Sequence, residues 1–202
     1  MESILSGGQD FLLPGLSYDL SGDQASYVVS RRQSQINSNV PTAGPNDVRQ
    51  VTFNIADPSG FLDLSSLCFQ WTVTNTHVTA AMQPLSAVPH NCWSRMIISI
   101  SSAIAEDIQY LSRTEEMLNR FLPYEKRRAA AAMGFGLASS SENGSDHLAR
   151  TVAAANGEQR VVWRPLSSGI LNSGKLFPGM LLGASGLKIT LEIPAASEIA
   201  RN

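Results

Sequence analysis

Leu187-Lys188-Ile189-Thr190-Leu191-Glu192-Ile193 sets an aliphatic side chain at every second position and a polar one between. Successive side chains of an extended chain point to opposite faces, so this stretch predicts a strand with one face in a core and one in solvent. The same alternation recurs in Val51-Thr52-Phe53-Asn54-Ile55, in Leu67-Cys68-Phe69-Gln70-Trp71-Thr72-Val73 and in Met96-Ile97-Ile98-Ser99-Ile100, and more briefly in Val161-Val162-Trp163. Strands with one buried face are the mark of antiparallel sheets packed as a sandwich or barrel. The fold class read from these runs is therefore all-β.

Working outward from the strands, Asn39 to Asp47 and Asp57-Pro58-Ser59-Gly60 are turn-forming stretches that bound the Val48–Ile55 strand. Phe61 to Ser66 reads as one helical turn or irregular chain. Residues 76–91, with Pro84 and Pro89, read as a loop. Tyr27 to Gln33 reads as a first strand. Ser101-Ser102 is placed as a tight turn between the strand Trp93–Ser101 and a following one in which Ile104, Glu106, Ile108 and Tyr110 share a face. Cys68, inside a strand, is expected to be a small core residue.

The pattern then changes period. Ser112-Arg113-Thr114-Glu115 has the spacing of a capping box, and Met117, Leu118, Phe121 and Leu122 follow at helical spacing. Pro123 stops or kinks this helix. A second helix from Tyr124 to Met133 can start after it, with Gly134 as its stop. A helical insertion of about 112–134 is thus expected. Residues 134–157, rich in Gly, Ser, Ala and Asn, read as a long exposed loop. Beyond the Gln159–Arg164 strand, Ser167 to Pro178 reads as irregular chain with a short helix.

Composition narrows the function. Only 16% of residues are charged, below the roughly 25% usual for globular domains, and small polar residues take their place. That suits a protein that packs its sides against neighbours. The net charge is −2, and no Lys or Arg occurs among the first thirty residues. Neither a basic face nor a basic arm is present for nucleic acid. Two cysteines in 202 residues fit a reducing compartment better than a disulfide framework. No signal peptide and no membrane span are expected. An arm over residues 1–22, with Phe11-Leu12-Leu13-Pro14 between glycines, precedes the domain at 23–202, and it either frays or lies along a neighbouring subunit.

No catalytic, cofactor-binding or metal residues are assigned. His77, His90 and His147 fall in separate loops without partners at ligand spacing. No nucleophile elbow and no phosphate loop occurs. Glu106-Asp107 and Glu115-Glu116 read as structural acidic pairs, the second in the first turn of a helix, where the dipole favours negative charge. Lys126-Arg127-Arg128 reads as a solvated helix face. The absence of these constellations argues for a non-enzymatic protein that needs no cofactor.

The order of pieces resembles viral jelly-roll capsid proteins. The resemblance is carried by Tyr27-Val28-Val29-Ser30-Arg31-Arg32, by Phe61-Leu62-Asp63 before a Phe/Trp strand, and by Arg95-Met96-Ile97-Ile98 running to Ile104-Ala105-Glu106-Asp107-Ile108. It continues through Arg113-Thr114-Glu115-Glu116-Met117-Leu118 and Val162-Trp163-Arg164-Pro165-Leu166 with Leu176-Phe177-Pro178. It covers most of residues 25–195 and is most similar to the double jelly-roll major capsid lineage of DNA viruses. The resemblance implies an antiparallel jelly-roll sandwich with the helical insertion between strands E and F. It also implies a structural subunit of an icosahedral virion, a homotrimeric capsomer contacting neighbouring capsid proteins, and synthesis in the host cytosol. The chain is long enough for one jelly roll, and about seven strands are read where a jelly roll has eight. Either it is a piece of a longer chain whose barrel continues past Asn202, or a single jelly-roll subunit, or one whose arm or neighbour supplies the missing strand. Other readings are a small RNA-virus coat protein, a cellular β-sandwich binding module for carbohydrate or protein, and a cupin-like enzyme. The coat protein would want a basic arm, and the module an exposed aromatic cluster. At least two of Trp71, Trp93 and Trp163 are expected to be buried instead.

Overall fold

The structure is a computed structural model that describes residues 30–57, 60–84, 92–123, 125–126, 155–183 and 186–201. Contacts divide the chain into Met1–Gln35 and Ile36–Asn202. Of the first unit, residues 30–35 are described, and they are exposed and outside any strand or helix. The arm at 1–22, most of the Tyr124–Met133 helix, almost all of the 134–157 loop, and Arg127, Arg128, His90 and His147 lie outside the described residues, as does the start of the Tyr27–Gln33 strand.

The second unit is built of antiparallel strands with few helices, arranged as an all-β sandwich. Strands β1 (Gln50–Ile55), β2 (Phe61–Asp63), β3 (Phe69–Asn75) and β4 (Gln83–Pro84) lead to the hairpin β5 (Arg95–Ile100) and β6 (Ala103–Gln109). Helix α1 (Leu111–Arg120) follows, then β7 (Gly157–Trp163), β8 (Leu176–Pro178) and β9 (Leu187–Glu192), with a short helix α2 (Ala196–Ile199) and β10 (Ala200–Arg201) at the end.

One sheet has the order β1-β9-β5-β6, all antiparallel. The other pairs are β3 with β7, β2 with β8, and β4 with β10. The pairing is nested. Gln50 faces Glu192, Phe61 faces Pro178, Phe69 faces Trp163 and Asn75 faces Gly157. Three stretches of 50–75 thus pair antiparallel, in nested order, with three stretches of 157–192, as an interrupted ribbon bent at the β2–β8 corner. The bend brings β3–β7 against the four-stranded sheet, where the Phe53 and Phe69 rings meet at 5.5 Å.

The alternation read in the sequence sets the layers. Leu187, Ile189 and Leu191 are fully buried and sit level with Ile55, Phe53 and Val51 on one side and with Ile100, Ile98 and Met96 on the other. Each such aliphatic side chain taken from water contributes about 1.5–3 kcal/mol. Lys188 and Glu192 face outward, beside Asn54, Gln50, Ser99 and Arg95.

Several expectations are corrected. Ile104 does not share the face of Ile108. A register shift between Ile98 and Ser99 leaves Ala105 as an extra residue, so Ile108 and Glu106 face Met96 and Ile98 while Ile104 faces Ser99 on the outer side, 67% exposed. One inserted residue reverses every side chain beyond it. Cys68 precedes β3 and is exposed, and Cys92 is the buried cysteine. Phe61–Asp63 is a short strand followed by a 3-10 turn at Leu64–Ser66. The Ser167–Pro178 stretch ends in strand β8, and its 3-10 turn comes later, at Gly179–Leu182. The Ser101-Ser102 turn is present, with both residues at positive φ (50° and 74°), as a two-residue hairpin that follows sheet twist requires.

The capping box does not form. The helix starts at Leu111, after Tyr110 in the left-handed conformation (φ 53°, ψ 38°), with no side-chain cap. The carbonyl of Ser94 takes the Leu111 N–H at 2.8 Å. Ser112 thus lies inside the helix, and Glu115 and Glu116 lie beyond its first turn.

Candidate functional site

The polar side chains that converge most closely come from β6, α1 and the loop after β7. Glu115 is 1% exposed because α1 turns it inward, one turn after the equally buried Leu111. Its carboxylate accepts the Leu166 N–H (2.9 Å), the Ser167 N–H (2.7 Å) and the Ser167 hydroxyl (2.5 Å). Glu106, on the inner face of β6, accepts the Ser168 hydroxyl at 2.6 Å and the Gly169 N–H at 2.8 Å. Asn172 closes the loop by donating to the carbonyls of Pro165 (2.9 Å) and Ser168 (2.8 Å). Two acids beside two serines would suggest proton-transfer chemistry in an open cleft. Here every one of these contacts is within the chain, and the carboxylates serve as acceptors for a partly buried loop whose N–H groups have no strand partner. The arrangement is a clamp between β6, α1 and the loop.

Further polar groups among the described residues are also spent on structure. The Nδ1 of His77 accepts the N–H groups of Thr79 (3.3 Å) and Ala80 (2.9 Å) in the turn after β3. Arg95 bridges Asp107 (2.7 Å) and Glu192 (3.7 Å) across the outer sheet face. The Arg95 hydrogen bond lowers the Asp107 carboxyl from its ordinary value, with desolvation opposing it and the Arg95 charge adding to it. Burial pushes the Cys92 thiol up to about 12, a shift that the neighbouring Trp71 indole opposes, although its N–H closes no hydrogen bond. Among the described residues no three His, Cys, Asp or Glu side chains converge as a metal ion requires. An open depression lined by Arg49, Gln50, Ser94, Glu192 and Ile193 offers little to a ligand, since Arg49 Nε and Ser94 Oγ already donate to the Ile193 and Glu192 carbonyls.

The aromatic residues are internal as well. Trp163 stacks on Phe69 at 5.4 Å, and Trp71 meets Trp93 at 5.3 Å and Trp163 at 6.3 Å, both edge-on. Trp93 and Trp163 are buried and Trp71 half-buried, as the sequence predicts. Their three indole N–H groups are buried without a partner. A sandwich whose tryptophans fill its core presents no tryptophan platform to a sugar.

Among the described residues, exposed aliphatic and aromatic side chains gather at the β2–β8 corner and along α1. At the β2–β8 corner, Leu62 and Phe177 pack inward, so Phe61 (71% exposed) and Leu176 (58%) project outward. Met180 and Leu181 extend this surface. Tyr110, Met117 and Phe121 do the same along α1, with Arg113 lying 5.8 Å from the Tyr110 ring centre. The helical spacing of Met117, Leu118, Phe121 and Leu122 predicts one buried face, yet Leu118 and Leu122 turn partly inward and Met117 and Phe121 outward. Gly183 at the corner lies by Ser101, whereas α1 starts by Ser94. The two surfaces thus occupy opposite ends of β5, roughly 20 Å apart for a six-residue strand. Clustered exposed apolar side chains mark contact surfaces. Sequence reading misses the corner because Phe61, Leu176, Met180 and Leu181 resemble core residues until β2 and β8 are paired.

No family model and no curated protein matches this chain. No helix among the described residues is long and apolar enough to cross a membrane.

Proposed function

We propose that the chain is a structural subunit of an icosahedral virion, a shell-forming capsid protein with a jelly-roll winding. The observation that carries the reading is the nested ribbon. Strands β1, β2 and β3 pair in nested order with β9, β8 and β7, and β9 lies between β1 and β5. An antiparallel ribbon rolled into two facing layers is the way a jelly roll is wound, and the position of α1 between β6 and β7 supports the reading. The β5–β6 hairpin stays within the four-stranded sheet.

The chemistry of the surface supports the same reading. Glu106, Glu115, Ser167, Ser168, His77 and Arg95 serve contacts within the chain, and among the described residues apolar surfaces face outward at the corner and along α1. Such surfaces associate by burial, modest per contact and large in a closed symmetric assembly. A homotrimeric capsomer in contact with neighbouring capsid proteins is the proposed assembly, and the virion its place. Expression of the protein followed by light scattering and electron microscopy tests this. Trimers, hexagonal capsomers or shells are expected. A monodisperse monomer at high concentration that forms no particles refutes it.

A further inference from the structure

The strands differ in how their edges are protected. An open strand edge is a row of free N–H and C=O groups that recruits another strand, and soluble proteins blunt it with bulges, charges or covering chain. At one edge of the four-stranded sheet, Asn39 closes on β1, donating to the Thr52 carbonyl at 2.9 Å and accepting the Thr52 N–H at 2.7 Å. At the other edge, β6 carries the bulge at Ala105 and the acids Glu106 and Asp107. The β2 and β8 strands have only three residues each.

β3 has none of these devices. Phe69-Gln70-Trp71-Thr72-Val73-Thr74-Asn75 is seven residues without charge, proline or glycine, and its register with β7 is unbroken. Among the described residues no strand pairs with its far side. Neither strand of the pair has a second neighbour among the described residues, but β7 carries the charges of Glu158 and Arg160, whereas β3 carries none and its inward Trp71 and Val73 are half-buried between the buried Phe69 and Asn75.

We infer that β3 pairs with β3 of a second copy of this chain, antiparallel about a twofold axis at Thr72. The partner's chemistry is that of an extended backbone, since only a strand answers a row of main-chain donors and acceptors. The side chains of β3 answer themselves in one register. With Thr72 opposite Thr72, Trp71 falls opposite Val73 of the second copy and Gln70 opposite Thr74. A threonine pair and two aromatic–β-branched pairs are favourable neighbours across an antiparallel ladder. The half-buried Trp71 and Val73 thereby cover one another, and the two β3–β7 pairs join into one four-stranded layer with both cores on the same side. A single strand pair falls below the roughly 1,200 Å² of a standard stable interface, so the dimer is weak and reversible. It needs no shell, and stands on the strand edge alone.

The test is sedimentation equilibrium of the full chain, with circular dichroism to verify folding. The wild type is expected to show a reversible monomer–dimer equilibrium. Thr72→Lys and Thr72→Glu each set like charges across the axis and should weaken dimerisation by roughly tenfold or more. Mixing the two variants in equal parts sets Lys opposite Glu and should restore it. In a Cys68→Ser background, Thr72→Cys should cross-link to a disulfide dimer on oxidation, because facing residues of a ladder lie within disulfide reach. A strictly monomeric wild type, as when another segment of the same chain covers β3, overturns the inference. So does a dimer indifferent to Thr72→Lys. Shells that survive both charge variants overturn the β3 dimer and leave the capsid reading standing, and a Thr72-dependent dimer without shells does the reverse.

Discussion

Gly179 shows how closely the fold is built at single positions. A Cβ placed there would lie 1.8 Å from the Asp57 carbonyl oxygen and 2.8 Å from that of Gly60, and both neighbours are backbone. The Gly179 N–H donates to the Gly60 carbonyl at 2.8 Å, which ties the two arms of the ribbon together at its bend. Gly179→Ala should therefore cost about 3 kcal/mol or more, read as a lowered urea midpoint, because backbone cannot move aside as a side chain can. In the sequence this glycine looks like any other punctuation, since the atoms that exclude a Cβ there come from residues 57–60. The cysteines are a second case. Its place inside the predicted strand marks Cys68 for the core, but it falls in phase with the outward Gln70 and Thr72, just before β3, and is exposed. Cys92 is enclosed, and its thiol, raised to about 12, stays protonated through neutral pH. A thiol reagent should modify one cysteine in the native protein and two in denaturant, and Cys68→Ser should abolish the native-state reaction.

At the scale of elements, the longest strands are legible and the helix is only half so. The strands β1, β3, β5, β7 and β9 fall within a few residues of where alternation places them, because a strand with one buried face writes its period into the chain. The existence of α1 is equally plain. Its orientation is not, since Ser112 and Glu115 fit a capping box that would leave both at the helix start. Tertiary structure takes Glu115 for another use: the donors of the 165–169 loop have no strand to bond, and a buried carboxylate satisfies them better than it would a helix end already held by Ser94. Glu115→Ala leaves these donors without an acceptor and should cost about 2–4 kcal/mol in chemical denaturation. Arg120→Ala, which removes the exposed ion pair with Glu116 four residues away, should change stability by less than about 0.5 kcal/mol. The bulge in β6 belongs to the same class. Nothing in Ala103–Gln109 announces it, and it alone moves Ile104 from the core to the surface.

For the whole molecule, the decisive feature is which strands meet. β9 lies between β1 and β5 and carries three fully buried side chains, so its amides are released only when the sheet opens. Hydrogen exchange should be slowest in β9 and β5 and faster in β6, and the protection of β9 should track global stability. Equal protection along all four strands would contradict this order. The sequence by itself determined the all-β class, the inward set of side chains on each long strand, the turn at Ser101-Ser102 and the burial of the tryptophans. These follow from periodicity and local conformation, which are properties of neighbouring residues. Only the tertiary structure decided that β1, β2 and β3 pair with β9, β8 and β7, that Phe61 and Leu176 face outward, and that Glu106 and Glu115 clamp a loop. Those outcomes depend on contacts between residues fifty to more than a hundred positions apart, and a hydrogen-bonding edge or an apolar side chain does not encode which distant partner will cover it.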